Sequence, residues 1–244
     1  MTVTGRRKPW TFSRALSAVL HSNDVARLLL PLLAILTAAL SAQTSARPPA
    51  AETARALQQK YDQVRDFTAD FTHTYQGGVL RKTLTERGTV EVKKPGRMRW
   101  EYTAPEKKLF VSDGRKVYSY VPADKQVIVS TVPTEDRATT AVLFLAGKGD
   151  VTRDFTVSYG SGEAADTWVL RLDPKVRQRD YDWLVLTVDR RSLQIRGLTA
   201  ADQQGGTSTF RFTNLRENTG LPDSRFAFRI PKGVDVIDAD APAR

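Results

Sequence analysis

Residues 88–127, GTVEVKKPGRMRWEYTAPEKKLFVSDGRKVYSYVPADKQV, alternate apolar and polar side chains over several short runs. Met98, Trp100 and Tyr102 fall on one side of such a run, and charged residues fall on the other. Successive side chains of a β-strand point to opposite faces, so this alternation predicts half-buried strands.

Two turns interrupt this alternation. Lys94–Gly96 predicts a turn because proline fixes φ and glycine tolerates positive φ. Asp113–Gly114, between predicted strands at 109–112 and 117–121, is typical of a type I′ hairpin. The stretch therefore predicts neighbouring antiparallel strands joined by short turns.

The same period of two recurs along much of the chain. Further predicted strands lie at 69–75, 126–132, 155–159, 167–172, 181–189, 193–199, 207–215 and 226–230. Ten or so strands at a spacing of about 8–12 residues indicate a sandwich or barrel of mainly antiparallel strands.

Two segments follow a helical period instead. Glu52–Val64 places apolar residues at positions i, i+4 and i+7. Thr134–Ala146 is a strongly apolar helical pattern that ends before Gly147, a residue suited to the position after a helix. Periodicity alone explains the second helix equally well as a core-packing element.

The amino-terminal residues predict export. A basic segment precedes Leu28–Leu40, thirteen residues without a charge, and small residues follow. This order is typical of a cleavable secretory signal. The stretch is short for a membrane span, which needs ~20 residues. We therefore interpret 1–46 as signal peptide and cleavage region and 47–244 as one domain; an uncleaved anchor or a buried core helix is the alternative.

Composition restricts the chemistry that the protein can perform. The chain has a net charge of +10, but its basic residues alternate with acids, which favours a solvated face over nucleic-acid binding. There is no cysteine, and the two histidines are His21 and His73, so no multi-histidine metal site is expected. Phosphate-loop, dinucleotide and nucleophile-elbow motifs are absent from the sequence. We predict a non-enzymatic protein without metal or cofactor.

The quoted stretch resembles the core of the periplasmic outer-membrane lipoprotein carrier family, the LolA-like proteins. The shared features are a strand, a basic-proline turn, an aromatic strand ending in Arg99-Trp100, and the Ser112–Gly114 hairpin. Phe67–Thr72 is similar to the first strand of that family, and Phe226–Val234 is similar to its closing segment. The resemblance spans nearly all of the chain after the predicted signal.

The resemblance implies a mainly β fold with some α: a strongly curved, incompletely closed antiparallel β-barrel with a helical lid over a hydrophobic cavity. Both predicted helices would form the lid. The implied cavity residues are Phe71, Met98, Trp100, Tyr118, Tyr120, Leu170, Leu184 and Leu186. The implied lid residues are Leu57, Tyr61, Val142, Leu143, Phe144 and Leu145. Lys94 stands where the family typically has an arginine that latches the lid; lysine offers a point charge instead of a planar fork.

The function implied by the resemblance is that of a periplasmic chaperone that shields the acyl chains of lipoproteins. Its expected partners are acylated lipoproteins, an inner-membrane lipoprotein-releasing ABC transporter and an outer-membrane acceptor lipoprotein, with the carrier as a monomer. Two alternatives remain open at this stage: a carrier of another lipid or glycolipid, and a lipid-binding module that senses envelope stress.

Overall fold

A computed structural model describes residues 47–78, 82–132, 144–162, 164–178 and 180–241. The predicted signal region 1–46 lies outside these residues. So does most of the predicted helix Thr134–Ala146, including Val142 and Leu143.

One antiparallel sheet dominates the described part of the chain. Its strands are β1 (Asp66–Gln76), β2 (Thr83–Lys93), β3 (Arg97–Ala104), β4 (Lys108–Asp113), β5 (Lys116–Val121), β6 (Gln126–Thr131), β7 (Phe155–Tyr159), β8 (Thr167–Pro174), β9 (Trp183–Asp189), β10 (Ile195–Ala201), β11 (Thr207–Glu217) and β12 (Asp235–Asp238). The order across the sheet is β12-β6-β5-β4-β3-β2-β1-β11-β10-β9-β8-β7. Only the β12–β6 pair among these is parallel. Because β12 and β7 end the order, the sheet is not closed.

The sheet curves so that its two halves share one core. Apolar residues of β1–β3 and of β8–β11 belong to the same buried cluster, so one face of the sheet is concave. Every second residue of a strand points to this face. Phe71, for example, lies opposite Phe212 on β11 and opposite Gly88 on β2, so all three share the concave side. A Cβ at Gly88 would lie 2.9 Å from the Phe71 ring and 2.0 Å from a backbone oxygen of Glu101. Glycine at that position therefore lets the ring pack directly on the backbone.

Both predicted turns are present, but the turn at Asp113–Gly114 is not of type I′, because Gly114 has a positive φ and Asp113 does not. Gly96 and Gly114 both have positive φ, 75° and 93°. The Asp113 carboxylate accepts hydrogen bonds from the backbone N–H groups of Arg115 and Lys116, which fixes the β4–β5 hairpin.

Two helices cover part of the concave face. Helix α1 (Ala50–Asp62) begins and ends two residues earlier than predicted, and it buries Ala54, Leu57 and Tyr61 at helical spacing. Helix α2 (Val151–Asp154) is short and was not predicted. Its N-cap is Asp150, whose side chain accepts from two backbone N–H groups at the helix start.

Residues 144–147 carry the end of the second predicted helix. Phe144 and Leu145 are helical and a turn follows at Ala146 and Gly147. Gly147 has a φ of 80° and donates its N–H to the Phe144 carbonyl at 3.0 Å. The prediction that this glycine follows a helix end is confirmed.

The predicted strand at 226–230 is wrong. A 3₁₀ helix occupies Asp223–Phe226, and an irregular segment continues from it to β12. Phe226 is buried and Phe228 contacts Tyr118 and Tyr120. The alternation at Phe226 and Phe228 therefore reflects packing onto the sheet and not strand pairing.

Candidate functional site

The concave face gathers most of the residues that the sequence assigned to a cavity. Six of them are buried in one apolar cluster: Phe71, Met98, Trp100, Leu170, Leu184 and Leu186. They come from β1, β3, β8 and β9. Strands that are far apart in the sequence thus contribute to one continuous hydrocarbon-like surface.

Tyr118 and Tyr120 do not belong to this face, so placing them in the cavity was wrong. Trp100 pairs with Phe110, and Phe110 pairs with Ser119. Residues directly opposite each other share a face. Ser119 is therefore the β5 residue on the concave side, and its two tyrosine neighbours point to the convex side.

Aromatic rings form the centre of the concave surface. Phe71 meets Trp100 at 5.1 Å and Tyr102 at 4.9 Å between ring centroids, both in edge-to-face arrangements. Phe210 lies 5.1 Å from Trp100. Tyr102 and Phe210 were not among the predicted site residues, although the alternation of Tyr102 with Trp100 was visible in the sequence.

The lid, defined as α1 together with residues 144–147, closes the concave face with its own side chains. Leu57, Tyr61, Phe144 and Leu145 are all buried in the apolar cluster. A pocket beneath the lid has a volume of about 10 Å³, roughly that of one water molecule. Its walls include Tyr61, Val64, Phe67, Leu145, Ile195 and Phe212. The described lid side chains therefore fill the space beneath them instead of leaving an open hollow there.

Lys94 joins the lid to the sheet. Its Nζ donates to the Tyr61 carbonyl at the end of α1, and it lies 3.3 Å from the centroid of the Tyr61 ring. Desolvation by burial lowers the pKa of Lys94 to about 8, although the Asp62 and Glu217 carboxylates oppose this shift. The contact that the resemblance implied is thus present, with lysine in place of arginine.

Tyr61 connects the two parts of the lid. Its hydroxyl donates to the Leu145 carbonyl at 2.5 Å, and its ring stacks on Phe144 with centroids 6.0 Å apart. Burial raises the pKa of this phenol far above its usual value, so it stays a donor. Nearby, Gly96 donates its N–H to the Ala146 carbonyl at 2.8 Å. The β2–β3 turn, α1 and residues 144–147 therefore meet at one point.

A polar cluster lies at the other end of β1 on the concave side. His73 Nδ1 is 3.1 Å from the buried Glu86 carboxylate, and His73 Nε2 is 2.7 Å from Ser208 Oγ. Lys108 donates to the other Glu86 oxygen at 2.7 Å. Burial lowers the pKa of His73, which keeps the ring neutral. The structure thus supplies partners for both ring nitrogens of His73.

The Ser208, His73 and Glu86 side chains follow the order of a nucleophile, a base and a carboxylate, and all three lie on paired strands. Ser208 lies within β11, paired with Tyr75 on one side and Ala200 on the other. In the described part of the chain, the backbone of β11 at this point pairs with β1 and β10 and does not form an oxyanion site. Among the described residues, no group of three or more acidic or histidine side chains is placed to hold a metal ion. None of the described helices combines the length and apolar character that a membrane span requires.

Comparison with known proteins gives concordant matches. A family model described as outer membrane lipoprotein carrier protein LolA matches residues 62–229. An outer-membrane lipoprotein carrier protein of Chromohalobacter salexigens is 36% identical over 152 residues, which cover 62% of this chain and 70% of the relative. One of Chromobacterium violaceum is 31% identical over 155 residues, 63% of this chain and 72% of the relative. A solved LolA superfamily protein of Nitrosomonas europaea aligns over 72% of this chain and 97% of its own, at 15% identity and a TM-score of 0.41.

Proposed function

Because the chain belongs to the LolA family of outer membrane lipoprotein carrier proteins, we propose that it carries acylated lipoproteins through the periplasm with their acyl chains on the concave face of its sheet. The observation that carries this proposal is the composition of the closed face. The four central lid side chains and the sheet residues beneath them are apolar or aromatic and form one buried cluster.

An acyl chain can take the place of the lid because both bury the same kind of surface. Removing four large apolar side chains from the cluster forfeits roughly 6–12 kcal/mol of burial. A chain of about 14 methylenes contributes on the order of 10 kcal/mol when it is buried. For a single chain the two magnitudes are close, so exchange of the lid for one acyl chain runs near balance. A small net free energy of binding suits a carrier that must release its cargo.

The proposed partners supply the energy and the destination that the carrier itself does not provide. The sequence contains no nucleotide-binding motif, so the energy that extracts a lipoprotein from a membrane must come from another protein. An inner-membrane ABC transporter fits this role. At the outer membrane, an acceptor lipoprotein with a higher affinity for the acyl chains is enough to complete the transfer. The carrier itself performs no covalent chemistry in this scheme.

Lid movement can be tested with a reversible cross-link because the chain contains no cysteine. A Cβ built at Gly147 lies 3.4 Å from the Cβ of Lys94, close to the ~3.5–4.5 Å of a disulfide. The variant Lys94→Cys/Gly147→Cys should therefore lock residues 144–147 onto the β2–β3 turn when oxidised. We expect the oxidised protein not to take up a triacylated lipoprotein and the reduced protein to take it up.

Each single cysteine variant, treated with the same oxidant, is the matched control and should take up cargo in both redox states. The Gly147→Cys control also measures the strain of a side chain at positive φ. Equal uptake by the oxidised and reduced double variant, with the disulfide verified by mass spectrometry, would contradict a concave face gated by this lid.

A further inference from the structure

Within the described ranges, one buried donor in the concave face has no acceptor. Trp100 is 3% exposed, and its indole Nε1 has no hydrogen-bond partner among the described residues. A buried polar group without a partner destabilises a fold, so such groups are rare and call for a physical explanation.

Aromatic rings lie close to Trp100 in the described part of the chain. Phe71 and Phe210 both lie 5.1 Å from Trp100, inclined at 65° and 59°. An N–H directed at a ring is a weak hydrogen bond. A carbonyl oxygen brought to the same place would be a much better acceptor.

Trp100 also lies next to the boundary between the apolar and polar parts of the concave face. Its neighbour Phe210 stacks on His73, with centroids 4.2 Å apart. His73 in turn holds Glu86 and Ser208. An amphiphile has the same order: hydrocarbon, then a carbonyl linkage, then a polar group.

We propose that the Trp100 indole N–H binds the carbonyl oxygen of the ester or amide that links an acyl chain to its cargo. This inference rests on the proposed function and adds a polar subsite to it. Once the lid moves aside, the hydrocarbon chain lies on the leucines and valines of the concave face, and the linkage carbonyl reaches the indole. By holding the carbonyl carbon at one end of an acyl chain, the subsite would fix the position of that chain along the sheet.

The subsite predicts a preference for amphiphiles that carry a carbonyl. The probes are methyl hexadecanoate and methyl hexadecyl ether, which differ essentially in the carbonyl group. We expect the protein to bind the ester about 2- to 10-fold more tightly, the range that one hydrogen bond provides. Trp100→Phe should abolish this preference while the ether still binds. Trp183→Phe, on the opposite face of β9, is the matched control and should retain the preference.

A second measurement does not depend on any variant folding. In the unsubstituted protein, the indole ¹H–¹⁵N resonance of Trp100 should move downfield with the ester and much less with the ether. Equal affinity for both probes, or an indole resonance that responds to them alike, would overturn the subsite and leave the carrier function intact. A protein that binds neither probe would remove the proposed function and the subsite together.

Discussion

Both faces of the sheet are covered by apolar packing and ion pairs, but the two covers differ in the number of ion pairs and in how the chain continues beyond them. The lid packs its four central side chains into the apolar cluster, and one ion pair, Lys60 to Glu217 at 2.5 Å, joins α1 to β11. The strap, defined as residues 222–230, packs Phe226 and Phe228 on the convex face and makes three ion pairs with the sheet. Arg225 binds Glu91 at 2.6 Å, and Lys93 binds Asp223 at 2.6 Å.

Under the proposed function, the lid is the cover that a lipid replaces, because it has fewer ion pairs to the sheet than the strap. A hydrocarbon chain can replace an apolar side chain contact for contact, but it cannot replace a carboxylate that binds an arginine. Beyond the strap, β12 also pairs with β6 through its backbone. We therefore infer that the strap is a permanent part of the fold and that the lid is the part that moves.

The largest effect on stability is expected from the strap. Phe226→Ala removes a side chain that is 1% exposed. Because β12 holds the chain beyond the strap by backbone pairing with β6, the strap should stay in place and the cavity should cost about 3–5 kcal/mol of unfolding free energy. Urea unfolding measures this loss. Ile230→Ala, at a 43% exposed position of the same strap, is the control and should change stability by less than about 0.5 kcal/mol.

A charge in the lid should cost less, although it is the more drastic substitution. Phe144→Asp buries a carboxylate among apolar side chains only while the lid is closed. Residues 144–147 can detach and place the charge in water, so the loss of unfolding free energy should be limited to about 1–2 kcal/mol. Lipoprotein uptake should fall at the same time. Global unfolding of Phe144→Asp, with Phe144→Leu stable as the control, would show that the lid is as permanent as the strap.

The smallest effect concerns the cation at the lid. The pKa of Lys94 is about 8 in the folded protein against an ordinary value of 10.5. Between these values the unfolded chain holds the proton more tightly than the folded protein, so stability should rise with pH from 8 to 10.5. Lys94→Arg, whose guanidinium stays charged, should lack this rise. The unfolding free energy of the unsubstituted protein minus that of Lys94→Arg should therefore increase from pH 8 to 10.5. A difference that stays constant or decreases would contradict a desolvated Lys94.

The sequence predicted the elements better than it predicted their faces. Period-two alternation located β1, β3 and the β4–β5 hairpin, and the resemblance to a known family implied the contact of Lys94 with the lid. Alternation divides a strand into two faces but does not say which of them is concave. That assignment depends on the register with the neighbouring strands, which sequence spacing alone does not give.

Ser112 explains why Tyr118 and Tyr120 were misplaced. Ser112 is fully buried on the concave side, where it donates to the Gly96 carbonyl at 2.8 Å. Its partner Val117 shares that face, so Tyr118 takes the other one, beneath Phe228. Serine is a polar residue, which suggests an exposed face, and tyrosine is aromatic, which suggests the core. Residue type alone therefore assigned these strands the wrong face. The sequence also did not predict that lid side chains fill the space beneath them, because residues suited to a lid are equally suited to line a cavity.

The central claim is that acyl chains occupy the concave face and not the convex one. Phe110 and Tyr118 are half-buried aromatics on neighbouring strands, and the register places them on opposite faces. A photoreactive phenylalanine at each position, irradiated with a triacylated lipoprotein bound, reports which face holds the acyl chains. We predict an adduct with the acyl chains at position 110 and none at position 118. An adduct at position 118 alone, or equal adducts at both positions, would contradict the account.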